Sequence, residues 1–347
     1  MAPKINNNNN LFLHKHRGVS NLDQKDTINL LFIKSQNLKI MTKVKIKKKN
    51  LFAFFTEQIN KLRANGKLGT ARNYQRTLNS FYKFRNGTDL LLSQCTEELI
   101  REYDAWIQSR EVSRNTISFY MRNFRSVYNM AANLHHAQQT NPFDKVYTGV
   151  DRTRKRAIDE QAILQLYELE LKEFSPLALA RDIFIFSYAT RGMSFIDIAY
   201  LSKQNIVNGT ITYARRKTGQ TLIIEMEPCM EKIIQRYQHK QSDLPYIFPF
   251  IHSTNPVIAY TQYQTALGYY NRLLKKLGKL IHLDVPLSSY TSRHTWATVA
   301  RKHNTQISVI SAGMGHTSEK TTQIYLASID QSVVDQANHN LLRLLNK

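Results

Sequence analysis

Three short stretches near the C-terminal end of this 347-residue chain hold residue types that can act on a phosphate ester. Ser289-Tyr290-Thr291-Ser292-Arg293-His294-Thr295-Trp296-Ala297-Thr298 is followed by Gly313-Met314-Gly315-His316-Thr317-Ser318 and then by Thr322-Gln323-Ile324-Tyr325. Arg293 precedes His316 by 23 positions, and His316 precedes Tyr325 by nine. Attack on a phosphodiester builds negative charge on the non-bridging oxygens, where fixed Arg and His donors stabilise it. The planar fork of Arg293 stays charged and can hold two oxygens at once. His316 can donate to the same oxygens or move a proton. A tyrosine that attacks phosphorus conserves the bond as a phosphotyrosine, so neither ATP nor a metal ion is required. The departing oxygen needs a proton, and Lys217, at the tip of an expected hairpin, is the candidate donor.

Each residue also has an ordinary reading. Tyr325 is one of 18 tyrosines and is flanked by Ile324 and Leu326, as a core tyrosine would be. His316 could cap the following helix, and Arg293 could pair with an internal carboxylate. Lys217 could merely solubilise a turn, with Arg215 and Arg216 as close competitors for its role.

Spacing and local chemistry together resemble the C-terminal signature of the tyrosine recombinase (phage integrase) family. There an Arg-His pair opens a helix, a Gly-His turn follows about twenty residues later, and the nucleophilic tyrosine lies nine beyond the His. The resemblance covers about residues 51 to 340. It implies Arg293 as the second catalytic arginine, His316 as the third-position histidine, Lys217 as the hairpin lysine and Tyr325 as the nucleophile. Two positions depart from the pattern. Tyr290 stands where the family usually has a histidine, and a phenol is a poor proton shuttle near neutral pH, so any general-base task shifts to His316 or to water. Aligning Asp197-Ile198-Ala199-Tyr200-Leu201 with the family's acidic and apolar run puts Ser194 at the first-arginine position. Ser194 fits a helix N-cap with Asp197 as its reciprocal partner, and Arg191, in the Thr190-Arg191-Gly192 turn, is taken as the first arginine. The alternative is an incomplete site.

The elements that must hold these residues are mostly helical. From Leu51, four amphipathic helices are expected: one with Phe54, Phe55, Ile59 and Leu62 inward, one capped at Thr70, one opened by Thr96 and one opened by Ser113. They make a helical core-binding domain over 51–140, with Arg72, Arg76, Arg114 and Arg125 as candidate phosphate contacts, although arginines on a solvated helix face are common. A basic linker spans 141–156, and its Arg154 and Lys155 are further DNA candidates. Residues 157–347 read as the catalytic domain. Asp159 and Ser175-Pro176 start helices there. Asn208-Gly209 and Lys217-Thr218-Gly219-Gln220 are the turns of a three-stranded antiparallel meander. The fold class is therefore mainly α with one small sheet.

Bulk composition agrees with a polyanionic partner. The chain carries 48 Lys and Arg against 26 Asp and Glu, a formal +22, and so basic a balance suits nucleic acid. Residues 1–50 hold 11 of the basic and 2 of the acidic residues, with an Asn run and a Lys cluster, and read as a flexible basic segment. No apolar run is long enough to span a bilayer. Cys95 and Cys229 are isolated, without zinc-ligand spacing, so no metal and no cofactor is expected. By resemblance, the partners are double-stranded DNA with specific sites and three further copies of the chain in a tetramer on paired sites, with Ser332 to Leu345 able to dock on a neighbour. An accessory DNA-bending protein is a further expected partner, and the location is cytoplasmic, with the nucleoid. An invertase or a simple short recombinase is favoured over a transposon or phage integrase, because only about 50 low-complexity residues precede Leu51. The competing functional readings are a DNA-binding protein with a dead site and a topoisomerase-like relaxing enzyme.

Overall fold

The computed structural model describes residues 50–134, 141–151, 157–238, 244–316, 318–319 and 321–322. It divides into two compact units, the first reaching Thr148 (Gly66–Leu68 excepted) and the second starting at Gly149.

The first unit contains α1 (Leu51–Ala64), α2 (Leu68–Phe84), α3 (Glu97–Gln108) and α4 (Arg114–Leu134). Aromatic residues at helical spacing turn inward on all four. Phe55, Phe81 and Phe124 are fully buried; the Phe81 ring lies 4.5 Å from that of Phe124 and 4.9 Å from that of Tyr103. Such tilted and edge-on contacts add to the area term of burial. The Tyr103 hydroxyl donates to Ser80 Oγ at 2.8 Å, which satisfies the one polar atom this ring takes into the core. Thr96 caps α3 by accepting from the Leu99 amide. The second helix begins at Leu68, so Thr70 lies inside it rather than capping it. Phe143 and Val146, within the stretch expected as linker, are buried in this core.

The second unit is arranged around α6 (Pro176–Ala189), whose Ile183, Phe184 and Phe186 are fully buried. Ser175 caps it, with Pro176 at its first position, where no amide partner is lost. Around it lie α5 (Glu160–Glu168, capped by Asp159), α7 (Phe195–Ala199), α8 (Pro228–Gln238), α9 (Pro256–Leu280), α10 (Thr291–Lys302) and α11 (Ile307–Gly313). The sheet is β1 (Ile206–Val207), β2 (Thr210–Ala214) and β3 (Thr221–Glu225), antiparallel in that order, with Tyr213 opposite Leu222. Asp182 of α6 is buried, and a lone carboxylate there would be costly. Arg181 Nε at 2.8 Å, Arg236 Nη1 at 2.6 Å and the Tyr237 hydroxyl at 2.8 Å all donate to it, which ties α8 to α6. Small buried residues Thr291, Ser292, Thr295 and Ala297 let α10 lie close to α6, and Ser187 and Ser292 share a hydrogen bond of 2.7 Å. Among the described residues, no helix is long and apolar enough to cross a membrane.

Candidate active site

The site is organised around Arg293, in the first turn of α10 and only 3% exposed. Its Nη1 donates to the Gly192 carbonyl at 2.7 Å and its Nη2 to the Met314 carbonyl at 2.6 Å. Gly192 closes the turn that ends α6, with φ +77°, and a Cβ there would lie 2.7 Å from the Arg293 Cα. Only glycine permits both that backbone and that approach. Arg191 immediately before it also has a positive φ, of 60°, a strained choice for a non-glycine residue.

The turn after α11 supplies the opposite wall. Gly315, at φ +64°, places its backbone against Arg215 Cδ and Leu222, and Arg215 Nη1 donates to the Gly315 carbonyl. His316 follows, with Nε2 2.9 Å from Arg293 Nη2 and Nδ1 2.8 Å from Thr322 Oγ1. A guanidinium has donors only. Nε2 therefore accepts, Nδ1 carries the proton, and that proton is donated to Thr322. The neutral state has a clear cause: burial first, then the positive charges of Arg293, Arg215 and Lys217, push His316 down to about 4.

Lys217 is exposed at the β2–β3 turn, which closes with the Gly219 amide on the Arg215 carbonyl at 2.7 Å. The stem of Arg191 passes Gly313, its Cδ 3.6 Å from where a Cβ would stand, and its Nη1 reaches the Ile223 carbonyl at 3.5 Å. Burial and then the Asp197 charge raise the phenol of Tyr213, against Arg293, Arg215 and Arg191, which all lower it; the three guanidiniums thus share one neighbourhood. Among the described residues no ion pair involves Arg191 or Arg215. A group of cations held on carbonyls around a neutral imidazole suits an anion with several acceptor oxygens.

The structure thus brings Arg293, His316, Lys217 and Arg191 together. Tyr290 sits at the start of α10, 39% exposed, with its ring beside His294 at 6.3 Å. Ser194 stands at the N-cap of α7 but its side chain makes no capping bond; its hydroxyl donates to Asp197 Oδ2 at 2.6 Å, and Asp197 Oδ1 accepts from the Arg216 amide at 2.8 Å. The acid is thereby spent on the hairpin rather than on the helix start. Tyr325, Arg154, Lys155 and the Ser332 to Leu345 segment lie outside the described residues. Arg215 entered the sequence reading only as a competitor of Lys217, although it continues, just past the end of β2, the inward alternation of Ile211 and Tyr213. No sequence signal pointed to Thr322.

In the first unit, Arg76 lines a groove of about 900 Å³ with Asn79, Lys83, Arg110 and Asn115, and the Arg110 guanidinium stacks on Trp106 at 3.8 Å. Arg114 lies over the Tyr147 ring, Arg125 donates to Thr148 Oγ1 at 3.2 Å, and Arg72 is exposed.

Residues 156–332 match the phage integrase family, and residues 50–146 match the phage integrase SAM-like domain. No curated sequence matches the chain. Among solved structures, the Tn1549 transposon integrase (aa 82-397) in complex with circular intermediate DNA is similar at a TM-score of 0.57 and 17% identity, over 85% of this chain and 99% of that one. A lambda integrase (75-356) dimer bound to a COC′ core site aligns at 0.59 and 16%, over 80% and 95%. A lambda integrase tetramer bound to a Holliday junction aligns at 0.59 and 16%, over 83% and 80%. At such identities the likeness is one of fold.

Proposed function

The chain belongs to the phage integrase family of tyrosine recombinases, enzymes of site-specific DNA recombination that break and rejoin DNA strands, and from that premise we propose that it does so through a 3′-phosphotyrosine at Tyr325. The observation that carries the reading is the pairing of Arg293 with neutral His316 on the turn that leads toward the tyrosine. The Tyr325 oxygen attacks phosphorus and the bond to the 5′ oxygen breaks. Arg293, with Arg191, holds the non-bridging oxygens, His316 Nε2 takes the phenol proton as a phosphate draws Arg293 away, and Lys217 protonates the departing 5′ oxygen. Tyr290, exposed beside His294, is a lesser donor to the phosphate. Attack by a 5′ hydroxyl from a partner strand reverses the steps and seals the new joint.

Four copies acting on two sites exchange strands in pairs, leading to inversion, or to integration and excision, of the intervening DNA. The lambda integrase tetramer on a Holliday junction supports that assembly for a chain of this fold. Arg76 with its groove neighbours, and Arg72, Arg114 and Arg125, contact the duplex from the first unit, while Arg154 and Lys155 add phosphate contacts.

The test uses a supercoiled plasmid carrying two copies of the DNA that flanks the gene. Inverted or excised product that depends on both copies supports the reading. Relaxation of a plasmid without paired sites would favour a topoisomerase-like enzyme, and binding with no strand breakage a DNA-binding protein alone.

A further inference from the structure

We propose that Arg215 is a catalytic residue that binds the scissile phosphate, taking over the charge that Ser194 does not provide. The inference deepens the phosphotyrosine reading and rests on it. Arg293 and Arg215 are held alike. Both are buried, at 3% and 8% exposure, and they hold the carbonyls of consecutive residues, Met314 and Gly315, just before His316. Each passes a glycine of positive φ: a Cβ on Gly192 would clash with Arg293 at 2.7 Å, and one on Gly315 would lie tightly against Arg215 Cδ at 3.0 Å.

A buried guanidinium is costly to desolvate unless a negative charge meets it. No carboxylate pairs with Arg215 among the described residues; Asp197, whose charge reaches Tyr213 alongside it, is bonded to Ser194 and the Arg216 amide instead. The nearby charges that act with it on His316 are Arg293 and Lys217, both positive. Holding one carbonyl does not call for a full charge, because a neutral amide would serve. A phosphate that enters between Arg293, Arg215 and Lys217 supplies the missing counter-charge. Arg191, by contrast, leaves its turn toward the Ile223 carbonyl at 3.5 Å, at the edge of hydrogen-bond range, and is the weaker holder of that phosphate.

The experiment measures single-turnover formation of the covalent protein–DNA adduct on a nicked duplex. The scissile position is either a natural phosphate or a methylphosphonate, in which one charged oxygen is replaced by a neutral methyl group. Arg215→Gln keeps a donor for the Gly315 carbonyl and removes the charge. On the natural phosphate it is expected to react about a hundredfold slower than wild type, the effect of losing one transition-state donor. On the methylphosphonate that deficit is expected to shrink to about tenfold or less. Arg215→Lys, which keeps charge but not the fork, is expected to fall between. Wild-type speed in Arg215→Gln, or equal losses on both substrates, would overturn the assignment. Absence of any adduct from the wild-type protein would instead overturn the phosphotyrosine reading and this proposal with it.

Discussion

Arg293 Nη2 stands 2.9 Å from His316 Nε2, and because the guanidinium can only donate, the imidazole it touches must be neutral, with its proton on Nδ1. That proton has a partner, since Thr322 Oγ1 lies 2.8 Å away. The lone pair at Nε2 is held ready by an arginine that a phosphate would recruit. At the position where the family usually has a second histidine stands Tyr290, a poor proton shuttle near neutral pH, and in the proposed mechanism the base role falls to His316.

The first prediction concerns pH. Burial and the neighbouring Arg293, Arg215 and Lys217 charges lower His316 from 6.5 to about 4. Its neutral form is therefore the stable one through pH 6, and the acid limb of adduct formation on limiting DNA is expected near pH 4 to 5, not near 6.5. Stability follows the same sign. The unfolded chain takes up the proton first as pH falls through 6.5, so the contribution is full above that value and is lost between 6.5 and 4. Denaturant midpoints of the wild type against His316→Asn across that window check it; an equal slope for both proteins would count against the assignment.

Thr322→Val removes the acceptor that fixes the imidazole proton. Adduct formation is expected to slow about tenfold, the value of one buried hydrogen bond, while Thr322→Ser retains near wild-type rate. Single-turnover assays of the pair measure this, and equal rates for Val and Ser would show that the bond does not position His316.

Gly192→Ala combines an unfavourable φ with a contact 2.7 Å from Arg293 Cα. The expected cost is roughly 2–4 kcal/mol in unfolding free energy from backbone strain and overpacking, together with loss of cleavage. Urea titration read against adduct yield checks both; an active, fully stable variant would mean that the turn shifts freely.

Asp182→Ala leaves Arg181, Arg236 and the Tyr237 hydroxyl without their shared carboxylate. Because Arg236 retains some access to water, the loss is expected at about 3 kcal/mol, the lower end for a broken buried pair. The urea midpoint measures it, and a loss under about 1 kcal/mol would mean that water replaces the acid.

Much of this was legible in the sequence because its signals are local. Thr96, Asp159 and Ser175-Pro176 start helices through atoms three residues away, and the meander follows from two turns and alternating side chains. What was not legible depends on distant partners. Gly192 is constrained by Arg293, 101 positions along. Ser194 stands at the helix N-cap but gives its hydroxyl to Asp197, whose other oxygen serves the hairpin, so the expected side-chain capping bond is absent. Arg215 sat just past the end of β2, where the inward alternation continues, but its value is set by Gly315 in another element. The second helix begins at Leu68, just after Gly66 turns the chain with φ +69°, so that Thr70 falls inside the first turn.

The central claim rests on Tyr325, and one measurement addresses it directly: trapping the protein on a nicked duplex, digesting the adduct and sequencing the DNA-linked peptide by mass spectrometry. The account predicts a single modified peptide with the 3′ phosphate on Tyr325, and no adduct from Tyr325→Phe. A phosphate on any other residue, or an adduct that persists in Tyr325→Phe, would contradict it.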